Sequence, residues 1–204
     1  MKLFYKPGAC SLAPHIALRA AGATFELEQV DTTKKTTASG SDYQQINPKG
    51  YVPALLINSG EVLTEAPAIL QYIADLYPAA ALAPSPHGLA RARLQEHLNF
   101  ISSELHKAFS PFFGAAPLAD TERPAVVENI SRRFAIFEAQ LSKGGPYLMG
   151  DTFTVADAYF FVVANWANFV DISLSQWPRI AHYMDRASDL PAIKQAMAAE
   201  GLIN

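Results

Sequence analysis

Cysteine is the scarcest chemistry in this chain: 204 residues carry a single thiol, Cys10. One cysteine cannot close an internal disulfide, so the sequence is at home in a reducing compartment, and the cytoplasm is the expected location. Charge is sparse as well. Only 17% of residues are charged and the net charge is −3, which gives no basic field for a phosphate backbone. Nucleic acid is therefore not expected as a partner. No apolar run approaches the roughly 20 residues of a membrane span, and Met1 leads into a strand pattern without a cationic-then-apolar leader. A membrane is not expected as a partner either. What the chain does have is 50% hydrophobic residues and 14 prolines, many at apparent element boundaries. It can build one large domain or two modest ones with sharply cut elements.

The beginning is chemically loaded. A short apolar strand pattern over 3–5 runs into a Pro7-Gly8 turn. Cys10 follows at the mouth of a helical pattern marked by Leu12, Ile16, Leu18, Ala20 and Ala21. Unpaired N–H groups and the positive end of the helix dipole favour a thiolate there, lowering the thiol pKa from about 8.5. The alternative is a small buried hydrophobe. Gly22 suits a C-cap, and 25–30 alternates apolar and polar as a half-buried strand. Residues 31–49 are polar and read as a long loop with one helical turn near 41–45; Lys34 and Lys35 there can meet an anionic ligand or simply be solvated. Pro53 opens an apolar strand and frees a ladder position for another partner. Asn58-Ser59-Gly60 marks a hairpin returning through 61–64, and Glu65-Ala66-Pro67 opens a helix with Ile69, Leu70, Ile73 and Leu76 at helical spacing.

Strand patterns then vanish. A small, proline-rich stretch reads as a linker over 81–88, dividing a domain 1–80 from a helical domain 89–204. Residues 89–109 have the pattern of one long amphipathic helix. Leu94, Leu98, Ile101 and Leu105 form one stripe; Asn99, Ser103 and His106 form a second, about 135° round at about 100° per residue. That second stripe is a hydrogen-bonding face or an ordinary solvent face. Val127, Ile130, Phe134, Phe137 and Leu141 mark a further helix, stopped by Gly144-Gly145-Pro146. Thr154 and Asp157 have capping-box spacing, with Phe153 as staple, and start an apolar helix over 158–169. Trp166 projects from it toward a cavity or the core. Pro178 and Pro191 start two closing helices.

The order βαβ-ββα, with an X-Pro bond before the third strand and a cysteine at a helix N-terminus, is thioredoxin-like. On Cys10, on Tyr51-Val52-Pro53-Ala54-Leu55, on Glu65-Ala66 and on 147–157, the chain resembles the cytosolic glutathione transferases over nearly its whole length. Cys10 makes it similar to their bacterial beta class. The resemblance implies an α/β, thioredoxin-like N-terminal domain followed by an all-α bundle, assembled as a homodimer. It implies glutathione as co-substrate, no metal, and a glutathione site drawn from Cys10, Lys35, Tyr51, Val52, Pro53, Glu65, Ala66, Asn99, Ser103, Glu104 and His106. In that site the Val52 backbone pairs with the cysteinyl part and Glu65-Ala66 meets the γ-glutamyl end. Ala66 stands where the family usually has serine, leaving only its N–H to contribute. Asn99, Ser103 and Glu104 match positions that act partly across the dimer. His106, partly protonated, would favour a thiolate.

The chemistry that follows is attack by the thiolate of glutathione on a small hydrophobic electrophile, with Cys10, His106 and Ser11 as catalytic candidates. Phe109, Phe112, Phe113 and Trp166 are candidate apolar walls. Ser11 is a possible sulfur donor or a helix cap, since a thiol donates only weakly. Two alternatives stay open: a Cys10-dependent thiol transferase or reductive dehalogenase working through a mixed disulfide, and a non-catalytic ligand-binding protein on the same fold.

Overall fold

The computed structural model describes residues 1–114 and 116–203; Asn204, where the expected helical domain ends, lies outside them. The first half builds a five-stranded sheet whose order is β3 (Thr36–Thr37), β2 (Glu26–Asp31), β1 (Lys2–Tyr5), β4 (Ala54–Leu56) and β5 (Val62–Thr64). β1 (Lys2–Tyr5) takes the centre because Leu3, Phe4 and Tyr5 are apolar toward both faces and all become buried. α1 (Leu12–Ala20) crosses over to β2 (Glu26–Asp31), which pairs parallel to β1, Leu3 opposite Leu27. β4 (Ala54–Leu56) runs antiparallel to β1 and turns back into β5 (Val62–Thr64).

The polar stretch read as a loop hides β3 (Thr36–Thr37), an edge strand antiparallel to β2. The helical turn in that stretch is α2 (Tyr43–Ile46), capped by Asp42, whose carboxylate accepts from the Gln44 N–H. One face of the sheet, with Leu3, packs on Leu12, Ile16, Ile69 and Ile73 of α1 and α3 (Ala66–Leu76). The other face, with Phe4, packs on Val30, Tyr43 and Ala54. Each fully buried Leu, Ile or Phe contributes about 1.5–3 kcal/mol.

Residues 81–88 carry neither helix nor strand. The single helix expected over 89–109 is instead α4 (Leu89–Phe100), a π-helical stretch (Ile101–Leu105) and the short α5 (His106–Ala108). The His106 N–H reaches back five residues to the Ile101 carbonyl, so one extra residue is packed into the turn. That insertion breaks the stripe arithmetic built on 100° per residue. α6 (Arg123–Leu141), α7 (Val155–Phe169), α8 (Pro178–Ser188) and α9 (Pro191–Ala199) follow.

α7 is the axis of the second half: apart from Asn165, Asn168 and Phe169 all of its residues are buried. At its start Asp157 Oδ2 accepts from the Thr154 N–H and hydroxyl at 2.9 and 2.8 Å, and Oδ1 accepts from the Leu148 N–H at 2.8 Å. Burial pushes this carboxyl up to about 6 against those three hydrogen bonds. α1 packs on α3, α7 and α9, joining the halves. Beyond α9, the fully buried Glu200 side chain pairs with His15 of α1, Oε1 to Nδ1 at 2.9 Å.

Candidate active site

The turn before α1 is held from the helical half. Gly8, at φ +70°, takes the left-handed conformation that glycine tolerates. Its N–H donates to Glu200 Oε2 at 3.0 Å, and its carbonyl accepts from the Trp166 indole N–H at 2.9 Å. Cys10 follows, partly exposed, its Sγ–H donating to the Val52 carbonyl at 3.3 Å. The N–H groups of Cys10 and Ser11 do favour a thiolate, as the helix start suggested, but burial outweighs them and pushes the thiol up to about 12. The activated thiolate expected from the sequence is thus replaced by a protonated thiol. Ser11 is also reassigned. It is fully buried, and its Oγ accepts from the Lys6 N–H at 3.1 Å and donates to the Lys6 carbonyl at 3.2 Å. It braces the turn, makes no helix cap and lines no cavity at Cys10.

Facing Cys10 is the segment 51–53, whose Val52–Pro53 bond is cis. The Tyr51 carbonyl accepts from the Tyr43 hydroxyl at 2.8 Å and from Asn47 Nδ2 at 2.7 Å, which fixes the segment from the sheet side. The Val52 N–H has no hydrogen-bond partner among the described residues. At the start of α3, Glu65 holds a φ of +71°, and its carboxylate meets Lys49 Nζ at 2.6 Å. The Ala66 N–H is likewise unpaired among the described residues, an anion-binding donor at a helix start.

The helical half supplies His106. Its Nδ1 is hydrogen-bonded to the Tyr159 hydroxyl of α7 at 2.8 Å, and its ring stands edge-on to Trp166 at 4.7 Å between centroids. Burial, helped by the Lys107 charge, lowers its pKa to about 4. His106 is therefore neutral at pH 7, not partly protonated as expected.

Two cavities meet at Cys10, Tyr51, Val52 and His106. The smaller, about 140 Å³, is polar, with Asn47, Lys49, Thr64, Glu65, Ser102, Lys107 and Tyr159 around it. The larger, about 510 Å³, is aromatic, walled by Phe113, Trp166 and Phe169 with Lys6 and Thr32 among its other lining residues. Cys10, Tyr51, Val52, Pro53, Glu65, Ala66 and His106 are thus brought together, and Phe113 and Trp166 wall the aromatic side. Other expected residues are not part of either cavity. Phe109 is fully buried behind Trp166, and Phe112 lies under the Arg123 guanidinium at 5.2 Å. Lys35 Nζ donates to the Gly50 carbonyl at 3.1 Å and so braces the turn before Tyr51. Asn99 and Ser103 are exposed, joined by a hydrogen bond from Ser103 Oγ to the Asn99 carbonyl at 2.9 Å, while Glu104 pairs with Arg133 at 2.8 Å. Because of the π-helical stretch, Ser102 and not Ser103 shares a cavity with His106. Asn47, Lys49, Thr64, Ser102, Lys107 and Tyr159 were missed. The only sequence signal for Tyr159 is a hydroxyl inside the otherwise apolar run 158–164.

Known proteins place these two cavities in context. Residues 1–75 match the family model "Glutathione S-transferase, N-terminal domain", and 100–191 match "Glutathione S-transferase, C-terminal domain". The chain is 43% identical to glutathione S-transferase GstA of Escherichia coli O157:H7, with 99% of this chain and all of that one covered. A sphingomonad glutathione S-transferase solved in complex with glutathione superposes with a TM-score of 0.94 at 45% identity, both chains fully covered. The bacterial beta class enzyme of Sphingomonas chungbukensis superposes with a TM-score of 0.94 at 44% identity, again over both whole chains. The chain belongs to the glutathione S-transferase family, and its likeness is to the bacterial beta class.

Proposed function

We propose that this protein binds glutathione in the polar cavity and joins its sulfur to a carbon of a small hydrophobic electrophile held in the aromatic one. The observation that carries the reading is that the two cavities, opposite in character, share one wall made of Cys10, Tyr51, Val52 and His106. The γ-glutamyl carboxylate goes to the Ala66 N–H at the α3 start, and its ammonium to Glu65. The cysteinyl amide pairs with the Val52 backbone, and the sulfur lies at the shared wall. Lys107 puts a cation in the lining of the polar cavity, which lowers the cost of an ionised sulfur. The protein then acts by placement: it lets a bound thiol release its proton to solvent and sets an electrophilic carbon next to the thiolate. The sulfur–carbon bond forms as the leaving group departs with the bonding pair.

A thiol held near 12 makes Cys10 a poor nucleophile at neutral pH, which favours this reading over the mixed-disulfide route. Cys10→Ala is expected to keep most conjugation of a chlorinated nitrobenzene and to lose any glutathione-dependent disulfide reduction. Abolished conjugation would overturn the dispensability of Cys10. Tight glutathione binding with no turnover on any aryl halide would instead make the protein a carrier. A homodimer belongs to the same proposal. Asn99, Ser103 and Glu104, which lie outside both cavities, would then serve, in part, glutathione bound by the second copy. A cytoplasmic role in breaking down foreign electrophiles completes it.

A further inference from the structure

We infer that Tyr159 is a positioning residue for this chemistry: its hydroxyl donates to Nδ1 of His106 and so fixes the imidazole proton on Nε2, the nitrogen that serves the sulfur. The inference rests on the proposed function and adds one role to it: His106, on the wall where the sulfur lies, donates a hydrogen bond to that sulfur.

The geometry begins with two helices. α7 is buried around Tyr159, which is 2% exposed, so its hydroxyl has a fixed place. The π-helical stretch adds one residue before His106, turning it by about 100° relative to an uninterrupted continuation of α4. This rotation brings Ser102 and His106 to one cavity with Tyr159, and His106 Nδ1 to 2.8 Å from the phenol oxygen. Trp166 and the Tyr159 ring both stand edge-on to the imidazole, with centroids 4.7 and 6.1 Å away, so the ring cannot easily flip.

Direction follows from the partners. A phenol is a good donor and a poor acceptor, whereas the unprotonated nitrogen of imidazole is a good acceptor. The Ser102 hydroxyl also reaches the Tyr159 oxygen, as a donor that favours its ionised form, which leaves the phenol hydrogen for Nδ1 at 2.8 Å; Nε2 has no partner among the described residues. Burial keeps the phenol protonated and the imidazole neutral. A neutral imidazole has a single N–H, so accepting at Nδ1 places that proton on Nε2.

Tyr159→Phe keeps the ring and removes the donor. The expected result is a fall of about tenfold in kcat, with KM for glutathione unchanged within about twofold. A purely structural role would not move the second readout, nitrogen-15 NMR of the His106 imidazole in the ligand-free protein. The wild type should show the proton on Nε2 and the variant a mixture of tautomers. A wild-type proton on Nδ1 overturns the inference even if the variant cannot be folded, and so does a variant with full kcat and an unchanged tautomer. His106→Ala with undiminished kcat would instead remove the sulfur-donor role beneath it, leaving the tautomer as a separate result.

Discussion

Replacing Glu200 with alanine tests how the turn that carries Cys10 is held. The Glu200 carboxylate is fully buried and makes two contacts, to His15 Nδ1 at 2.9 Å and from the Gly8 N–H at 3.0 Å. Hydrogen bonds to a charged group contribute about 1.5–3 kcal/mol each. Removing the acceptor also leaves the His15 nitrogen and the Gly8 N–H buried without partners. The expected loss is about 3–5 kcal/mol, the combined weight of two hydrogen bonds to a charged acceptor. In a chain of 204 residues that lowers Tm by about 6–20 °C. Glu200→Gln keeps an oxygen for Gly8 and a polar group for His15, so its loss should be about 1 kcal/mol. Urea unfolding at pH 7, followed by circular dichroism and by fluorescence of the indole tied to Gly8, gives both values. Released from Glu200, the Gly8 turn should also cost glutathione conjugation activity in Glu200→Ala at temperatures where it is folded. A Glu200→Ala stability within about 1 kcal/mol of wild type would refute the reasoning, since it would mean the buried contacts carry no net weight.

Two further outcomes concern the shared wall. His106 has a folded pKa near 4 against about 6.5 when unfolded. Between these values the unfolded chain binds the extra proton, so the stability tied to the neutral ring is present above about 6.5 and lost as pH falls toward 4. The imidazole proton resonances should titrate near pH 4, and a midpoint near 6.5 would contradict the burial of this ring against Tyr159 and Trp166. Phe113, about half exposed on the aromatic wall, stands edge-on to Trp166 at 5.3 Å. Phe113→Ala should raise KM for an aryl halide about three- to tenfold and leave KM for glutathione unchanged; equal effects on both would place it elsewhere.

Much of the fold was legible because its signals are local. Leu3-Phe4-Tyr5 announces a strand, Asn58-Ser59-Gly60 a hairpin, and Thr154 with Asp157 a helix start, each within a few residues. β3 was illegible, since two threonines in a polar stretch carry no alternation. The π-helical stretch was illegible for a related reason: Ile101-Ser102-Ser103-Glu104-Leu105 is as compatible with an α-helix, and the extra residue shows only in the hydrogen bonds. From that one miss follows the choice of Ser103 over Ser102; Tyr159 was missed because a phenol in an apolar helix reads as core. The direction of the Cys10 pKa failed differently. A helix start is visible in sequence, but the enclosure of a thiol by Val52 and the helical domain is a tertiary fact, and desolvation outweighs the dipole. Phe109 and Trp166 have the same apolar character, and only packing decides which of them reaches the cavity.

The most direct test of the central claim is the structure of the wild-type protein with reduced glutathione bound. The peptide should lie between Glu65 and Val52, with its sulfur about 3 Å or more from Cys10 Sγ and within hydrogen-bond reach of His106 Nε2. A sulfur about 2 Å from Cys10 would be a mixed disulfide, the two thiols oxidised by dissolved oxygen, and would make Cys10 the reacting group, contradicting conjugation by a thiolate that the protein only holds.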